Sequence, residues 1–284
     1  MTRADEHQGD GTATAAGHAV IVKDGAALLP APNLPDYERA CAAFSWAAAR
    51  ARLDGLPGGG LNIAHEALDR HADGPRGSHE ALRFIALDGT RHSLSYAALR
   101  DASSRFAHAL GALGVGPGER VFTLTGRTPA LYAAVFGALR AGCVVSPLFS
   151  AFGPEPIATR MAIGDARVLV TTRALYRRKV ADLRERLPGL AHVILLDGEP
   201  GDAGTLAWSD VVETQPATPV MVPTRPDDIA LLHFTSGTTG RPKGALHAHE
   251  VSGWLKIAAG RARPTDAGFL MADRIARDLI AAVG

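Results

Sequence analysis

Residues 120–148 read RVFTLTGRTPALYAAVFGALRAGCVVSPL. Arg120 to Thr125 is a short apolar run of strand-forming residues, and Cys143 to Leu148 is another. Between them Pro129 opens a helix that runs to Ala141, because proline's missing N–H would be unpaired at a first helical position in any case. Strand, helix and strand in so short a stretch make a βαβ crossover, which joins parallel neighbours in one sheet. A parallel sheet is covered on both faces, so this segment predicts an α/β fold.

The alternation continues on both sides of it. Downstream come a helix over Pro154–Ile163, a strand over Arg167–Thr172, a helix over Ala174–Leu187 and a strand over His192–Asp197. Upstream, Leu99, Ala102, Phe106, Ala109, Leu110 and Leu113 recur at three and four in a helix opened by Ser95-Tyr96 and closed by Gly114-Val115-Gly116-Pro117-Gly118. Before that, LRFIAL at 82–87 followed by DGT at 88–90 has the pattern of a hairpin. Asn62 can cap a helix through Ile63, Ala67, Leu68 and His71, and GLPGGG at 55–60 breaks the chain ahead of it. Asp36 can cap a further helix to Arg52, with Ala40, Phe44 and Ala47 on one face. Residues 1 to about 35 are rich in Gly, Ala, Asp and Pro and read as a poorly ordered or wrapping extension. Residues 198–226 are a connection with one short ordered piece, Leu206 to Val212. Ile229–Phe234 then reads as a further buried strand. The expected domains are an extension with a helix (1–60), the main α/β domain (61–257) and an atypical tail (258–284).

Composition narrows the function classes. The formal net charge is +1 over 284 residues, too small to draw nucleic acid or an anionic membrane surface to the whole molecule. An anion must therefore be met by a local site. Cys41 and Cys143 stand far apart and outside any CxxC pattern, which argues against a disulfide framework and a zinc site and fits a reducing compartment. The N-terminus is acidic where a signal peptide is basic, and the longest apolar stretch, Ala130–Leu139, is about half of a membrane span. A soluble, cytoplasmic protein is expected.

The local site is HFTSGTTGRPKGALHAHE, residues 233–250. Thr235, Ser236, Gly237, Thr238, Thr239 and Gly240 combine hydroxyl donors with glycines that let backbone N–H groups approach an anion closely. Lys243 adds a mobile point charge that can follow phosphate oxygens, in a chain where only four of the 30 basic side chains are lysine. Pro242 stiffens its approach and Gly244 allows the turn back. A P-loop needs Gly and Lys adjacent with a helix immediately after; here Arg241-Pro242 intervenes and Ala245–His249 reads as a strand.

TSGTTGRPKG at 235–244 resembles throughout the loop of the adenylate-forming superfamily, which comprises acyl-CoA synthetases, peptide-synthetase adenylation domains and luciferases. Leu94–Leu99 resembles that family's LxYxxL segment, Ala109–Val121 its LGVxxGDRV turn and strand, and Leu139–Leu148 its LKAGAxxxPL segment. LNIAHEALDRHA at 61–72, PLFSAFGPE at 147–155 and HAHE at 247–250 look most like acetyl-CoA synthetases and close short-chain relatives. The resemblance covers residues 60–257.

It implies the N-terminal portion of the family's large α/β domain and an AMP-forming acid–CoA ligase, with acetate as the acid. ATP, with Mg2+, would lose pyrophosphate to the attacking carboxylate, and coenzyme A would capture the acyl adenylate. Thr235 to Gly240 would cradle the β- and γ-phosphates, with Lys243 as counter-charge. Small molecules are the implied partners, with neither nucleic acid nor membrane.

Weaker candidates have plainer readings beside them. His247-x-His249-Glu250 lacks a third spaced ligand, so no metal is assigned and a pocket-wall role stays open. Phe149, Phe152 and Arg160 lie where related synthetases approach coenzyme A, or are an ordinary βα loop and helix charge. The basic stretch Tyr176–Arg186 carries Leu175, Leu183 and Leu187 on one face and reads as an amphipathic helix. A helix is expected over Val251–Arg261. The family's adenine-binding segment, YGxTE stretch, ribose-binding Asp and C-terminal domain with its catalytic lysine are not found in this sequence. It is therefore expected to be a leading part, acting as a ligase with the remainder supplied or as a non-catalytic remnant that binds phosphate weakly. A shortened sheet would expose an edge through which the chain self-associates.

Overall fold

Neighbouring residues of each central strand point to opposite faces of one sheet, and both faces are apolar. The computed structural model describes residue 34, residues 36–197 and 204–234, and the backbone alone of 235–236, 242–244, 255–258 and 261–264. The expected N-terminal extension lies almost wholly outside the described residues. The chain divides into two units, Met1–Arg50 and Ala51–Gly284.

In the first unit, α1 (Tyr37–Ala43) is capped by Asp36, whose carboxylate accepts from the Arg39 N–H. The single helix expected to Arg52 is instead two. The Ser45 hydroxyl accepts from the Ala48 N–H and starts α2 (Trp46–Arg50) afresh, a local cap outcompeting continuation. Phe44 does not make an apolar face here; it is 55% exposed and meets Trp46 edge to face at 5.2 Å.

In the second unit a wide helical turn, His65–Asp69, leads into the short α3 (Arg70–Ala72). The hairpin follows as expected, β1 (Glu80–Ile85) antiparallel to β2 (Arg91–Ser95), with Gly89 at φ +84° in the turn. Ser95 caps α4 (Tyr96–Ala112) through the Ala98 N–H at 3.1 Å. Then come β3 (Arg120–Leu124), α5 (Pro129–Arg140), β4 (Val144–Pro147), α6 (Pro154–Ile163), β5 (Ala166–Thr171), α7 (Arg173–Lys179), β6 (His192–Leu195) and β7 (Leu206–Ala207). The five strands form one parallel sheet in the order β4-β3-β5-β6-β7. Val121, Val168, Val170 and Ile194 face α4 and α5, while Phe122, Leu124, Leu169, Val193 and Leu195 face α6 and α7. The α/β fold with a parallel sheet between helical layers is thus present.

Two expected elements change shape. The helix expected over 174–187 stops at Lys179; Val180 turns inward at 1% exposure and a tighter turn, Ala181–Arg186, follows. Val251–Arg261 is not a helix where it is described. The backbone of β10 (Leu255–Ala258) pairs antiparallel with β11 (Arg261–Pro264). Apolar and basic residues alternate in Leu255-Lys256-Ile257 and again in Arg261-Ala262-Arg263, a period of two, and Gly260 lies between the strands.

The helical layer over β3 is held by two close approaches. A Cβ on Gly137 in α5 would lie 2.6 Å from the Ser103 carbonyl oxygen and 2.8 Å from Phe106 Cβ in α4, so only glycine lets these helices meet. Beside it the wholly buried Arg140 guanidinium takes the Asp69 carboxylate with both terminal nitrogens, at 2.8 and 2.6 Å, and also reaches the Ser103 hydroxyl. Cys143 is buried, and its Sγ donates to the Gly116 carbonyl at 3.2 Å. Burial, followed by the Glu119 carboxylate, pushes its thiol up to about 12.

Gly137→Ala is expected to cost about 1–3 kcal/mol through overpacking, read from urea midpoints. Asp69→Ala strands a buried cation and is expected to cost about 3–5 kcal/mol, most of it recovered when Arg140→Met removes the charge as well. At pH 8 the folded chain is expected to release one equivalent of chromophore from a disulfide thiol reagent, from the exposed Cys41, and two after denaturation.

Candidate functional site

Ligands of open α/β sheets meet the carboxyl ends of the strands, so the candidate site is built from the loops there and from the segment that delivers 235–244. That segment begins after β7 and crosses residues 208–233 with little regular structure: one helical turn at Ser209–Glu213, then extended chain. Irregular backbone needs partners for its carbonyls. Side chains from the helical layer provide them. Arg105 of α4 donates to the carbonyls of Glu213 and Gln215, and His108 Nε2 lies 3.0 Å from that of Thr218. Arg140 reaches the Val220 carbonyl at 3.2 Å. Asn62 donates to the carbonyls of Leu139 and Val222 at 2.9 and 3.0 Å, while its Oδ1 accepts from Ala64. Leu61 and Thr224 then exchange a pair of backbone bonds at 2.8 and 2.9 Å.

The expected buried strand over Ile229–Phe234 does not form as such. Residues 230–232 run parallel to β4 for a single bridge, Val145 with Leu231, through Val145 N–H to the Ala230 carbonyl and Leu232 N–H to the Val145 carbonyl, both 2.9 Å. Ile229 and Leu231 are 48% and 53% exposed, because only alternate residues face the sheet's apolar layer. Leu232 and Phe234 are the ones that do, packing on the Phe122 side, with the Phe122 and Phe234 ring centroids 6.3 Å apart.

Two short strands follow, β8 (Phe234–Ser236) and β9 (Pro242–Gly244), paired antiparallel. Their register sets Phe234 opposite Gly244, Thr235 opposite Lys243 and Ser236 opposite Pro242. Three of the residues singled out in the sequence, Thr235, Ser236 and Lys243, are thereby brought together by the backbone. The other four, Gly237, Thr238, Thr239 and Gly240, lie outside the described residues, as do His247, His249 and Glu250. Among the described residues no cluster of three His, Cys, Asp or Glu side chains could hold a metal ion.

The second candidate region, after β4, is tied down. Lys179 Nζ donates to the carbonyls of Ser150 and Phe152 at 2.5 and 2.6 Å, and Phe149 meets Phe152 edge to face. The Arg160 guanidinium lies 4.3 Å over the Phe152 ring and donates to the Pro156 carbonyl at 2.9 Å; the residue is 8% exposed. These contacts hold Arg160 against this loop and its own helix, while its buried Nε has no hydrogen-bond partner among the described residues.

Sequence reasoning did not single out Asn62, Arg140 and Ser146 as supports of the delivering segment. One signal was visible: Arg140 is the sole charge in the apolar run Pro129–Ala141.

The model of the AMP-binding enzyme family matches residues 68–271. Acetyl-coenzyme A synthetase of Bacillus subtilis is 36% identical over 221 residues, which is 77% of this chain and 38% of that protein. 3-Hydroxypropionyl-coenzyme A synthetase of Metallosphaera sedula is 34% identical over 206 residues, 67% of this chain and 31% of that protein. The crystal structure of an acyl-CoA synthetase of Brucella canis superposes with a TM-score of 0.65 at 34% identity, covering 74% of this chain and 37% of the other. The chain thus spans about a third of the length of the curated relatives it matches. No helix among the described residues is long and apolar enough to cross a membrane. With a match over most of its length, this chain belongs to the AMP-binding enzyme family.

Proposed function

We propose that residues 235–244 grip the polyphosphate of ATP in an AMP-forming acid–CoA ligase whose acid is acetate. The observation that carries this reading is the β8–β9 register, which sets Thr235 opposite Lys243. Opposed residues of an antiparallel pair have their Cβ atoms about 5 Å apart. A threonine and a lysine set opposite each other along the backbone are residue types that together suit a phosphate oxygen better than either alone.

The chemistry asks for such a place. A carboxylate attacks the α-phosphate, pyrophosphate leaves, and negative charge grows on the leaving oxygens. Preorganised N–H and hydroxyl donors with one cation oppose that charge where it develops, so they favour the transition state over bound ATP. The acyl adenylate then meets the thiol of coenzyme A. Acetate as the acid is supported by the name of the Bacillus subtilis relative, and 3-hydroxypropionate, from the Metallosphaera sedula relative, is its rival.

ATP binding to the chain, measured by equilibrium dialysis, is expected, and Lys243→Ala is expected to weaken it about tenfold or more. Exchange of labelled pyrophosphate into ATP that depends on acetate, and more on acetate than on 3-hydroxypropionate, supports the full reading. ATP binding without exchange reduces it to a phosphate-binding role. Unchanged ATP affinity in the Lys243→Ala variant overturns the assignment of the grip.

A further inference from the structure

The segment that carries the grip leaves the sheet at one residue, and the reason is a missing donor. Val145 donates to the Ala230 carbonyl, and Leu232 donates back to Val145. In a parallel ladder the next bond would run from the N–H of residue 147 to the carbonyl of Leu232. Residue 147 is proline and has no N–H. On its other side β4 is regular, with Val144 and Leu148 donating to Glu119 and Thr123 at 2.9 and 2.8 Å, so the gap faces only the delivering segment.

The neighbouring side chain fills it. Ser146 is wholly buried, and its Oγ donates to the Leu232 carbonyl at 2.9 Å. A hydroxyl has a reach and direction that a ladder N–H lacks, so it can hold this carbonyl without extending the pairing to Phe234. Past Leu232 the chain is free to turn into β8 and pair with β9 instead. Packing agrees: a Cβ on Gly164 would lie 2.6 Å from Phe122 Cζ and 2.9 Å from Leu232 Cδ2, so the fold leaves room for Leu232 at this spot.

We propose that Ser146 and Pro147 form a release point, at which proline ends the β4 ladder and the serine hydroxyl anchors Leu232, aiming β8 and with it Thr235 toward Lys243. Ser146 is then a positioning residue for the phosphate grip, a role that rests on the reading given above, while the release point itself does not.

Hydrogen exchange on the whole chain tests it without any ligand. Ser146→Ala is expected to speed exchange of the Leu232 amide roughly 5- to 10-fold, the loss of one net hydrogen bond, while amides of β5 stay unchanged. Pro147→Val restores the ladder donor, so the double variant Ser146→Ala/Pro147→Val is expected to return Leu232 to near its original rate and to slow exchange at Phe234. Unchanged exchange at Leu232 in the single variant, or equal acceleration throughout the sheet, overturns the release point. ATP dialysis on the same variants reads the positioning role: a several-fold weaker affinity in both the single and double variants, at unchanged β5 exchange, supports it, and unaltered affinity removes it. Failure of the unsubstituted chain to bind ATP counts against the grip and leaves the exchange result to decide the release point.

Discussion

The Arg140 guanidinium has no exposure to solvent, and a cation in that position has to be paired. Asp69 meets it with both carboxylate oxygens, Ser103 with its hydroxyl and Val220 with its carbonyl. Arg140 belongs to α5, and its three partners come from the turn ahead of α3, from α4 and from the extended segment after β7. One charge therefore ties the helical layer to the chain that crosses it. The pair adds little net stability relative to an apolar replacement, but it penalises arrangements that separate these elements. We take this to be why a lone arginine sits in an otherwise apolar helix.

What Arg140 begins, a series of single bonds continues. From Glu213 to Leu232 successive carbonyls are held by Arg105, His108, Arg140, Asn62 and Ser146, each projecting from a helix, a turn or a strand. The segment is irregular and yet anchored, because its polar groups are satisfied by rigid neighbours rather than by its own repeat. Such a path can place a short hairpin beside the sheet without belonging to it.

Much of the architecture was legible because burial on two faces leaves a period and a composition. Val121, Phe122 and Leu124, or Val168, Leu169 and Val170, are apolar on both sides and can only be central strands. The caps at Asp36 and Ser95 and the turn at Gly89 were equally local. The readings that changed depended on competition. Ser45 could continue one helix or cap a second, and its hydroxyl chose the cap. Leu255–Arg263 contains both helix-compatible spacing and a two-residue alternation, and pairing selected the alternation. Ile229 and Leu231 looked like core, yet only their neighbours Leu232 and Phe234 face an apolar layer.

The candidate site divides in the same way. TSGTTGRPKG was recognisable by itself, since residue types and spacing suffice to say that donors and one ammonium are concentrated there. That Thr235 stands across from Lys243 is a register between two short strands, and the carbonyl of Leu232, just ahead of the first of them, is held by the Ser146 hydroxyl from 86 residues away. The sequence alone determined the α/β class and the location of the motif rich in Thr, Ser and Gly with its lysine, because both follow from local periodicity and composition. Tertiary structure decided which side chains hold the delivering segment and how the motif's two ends face each other, because a hydrogen bond between distant residues depends on geometry that no local pattern contains.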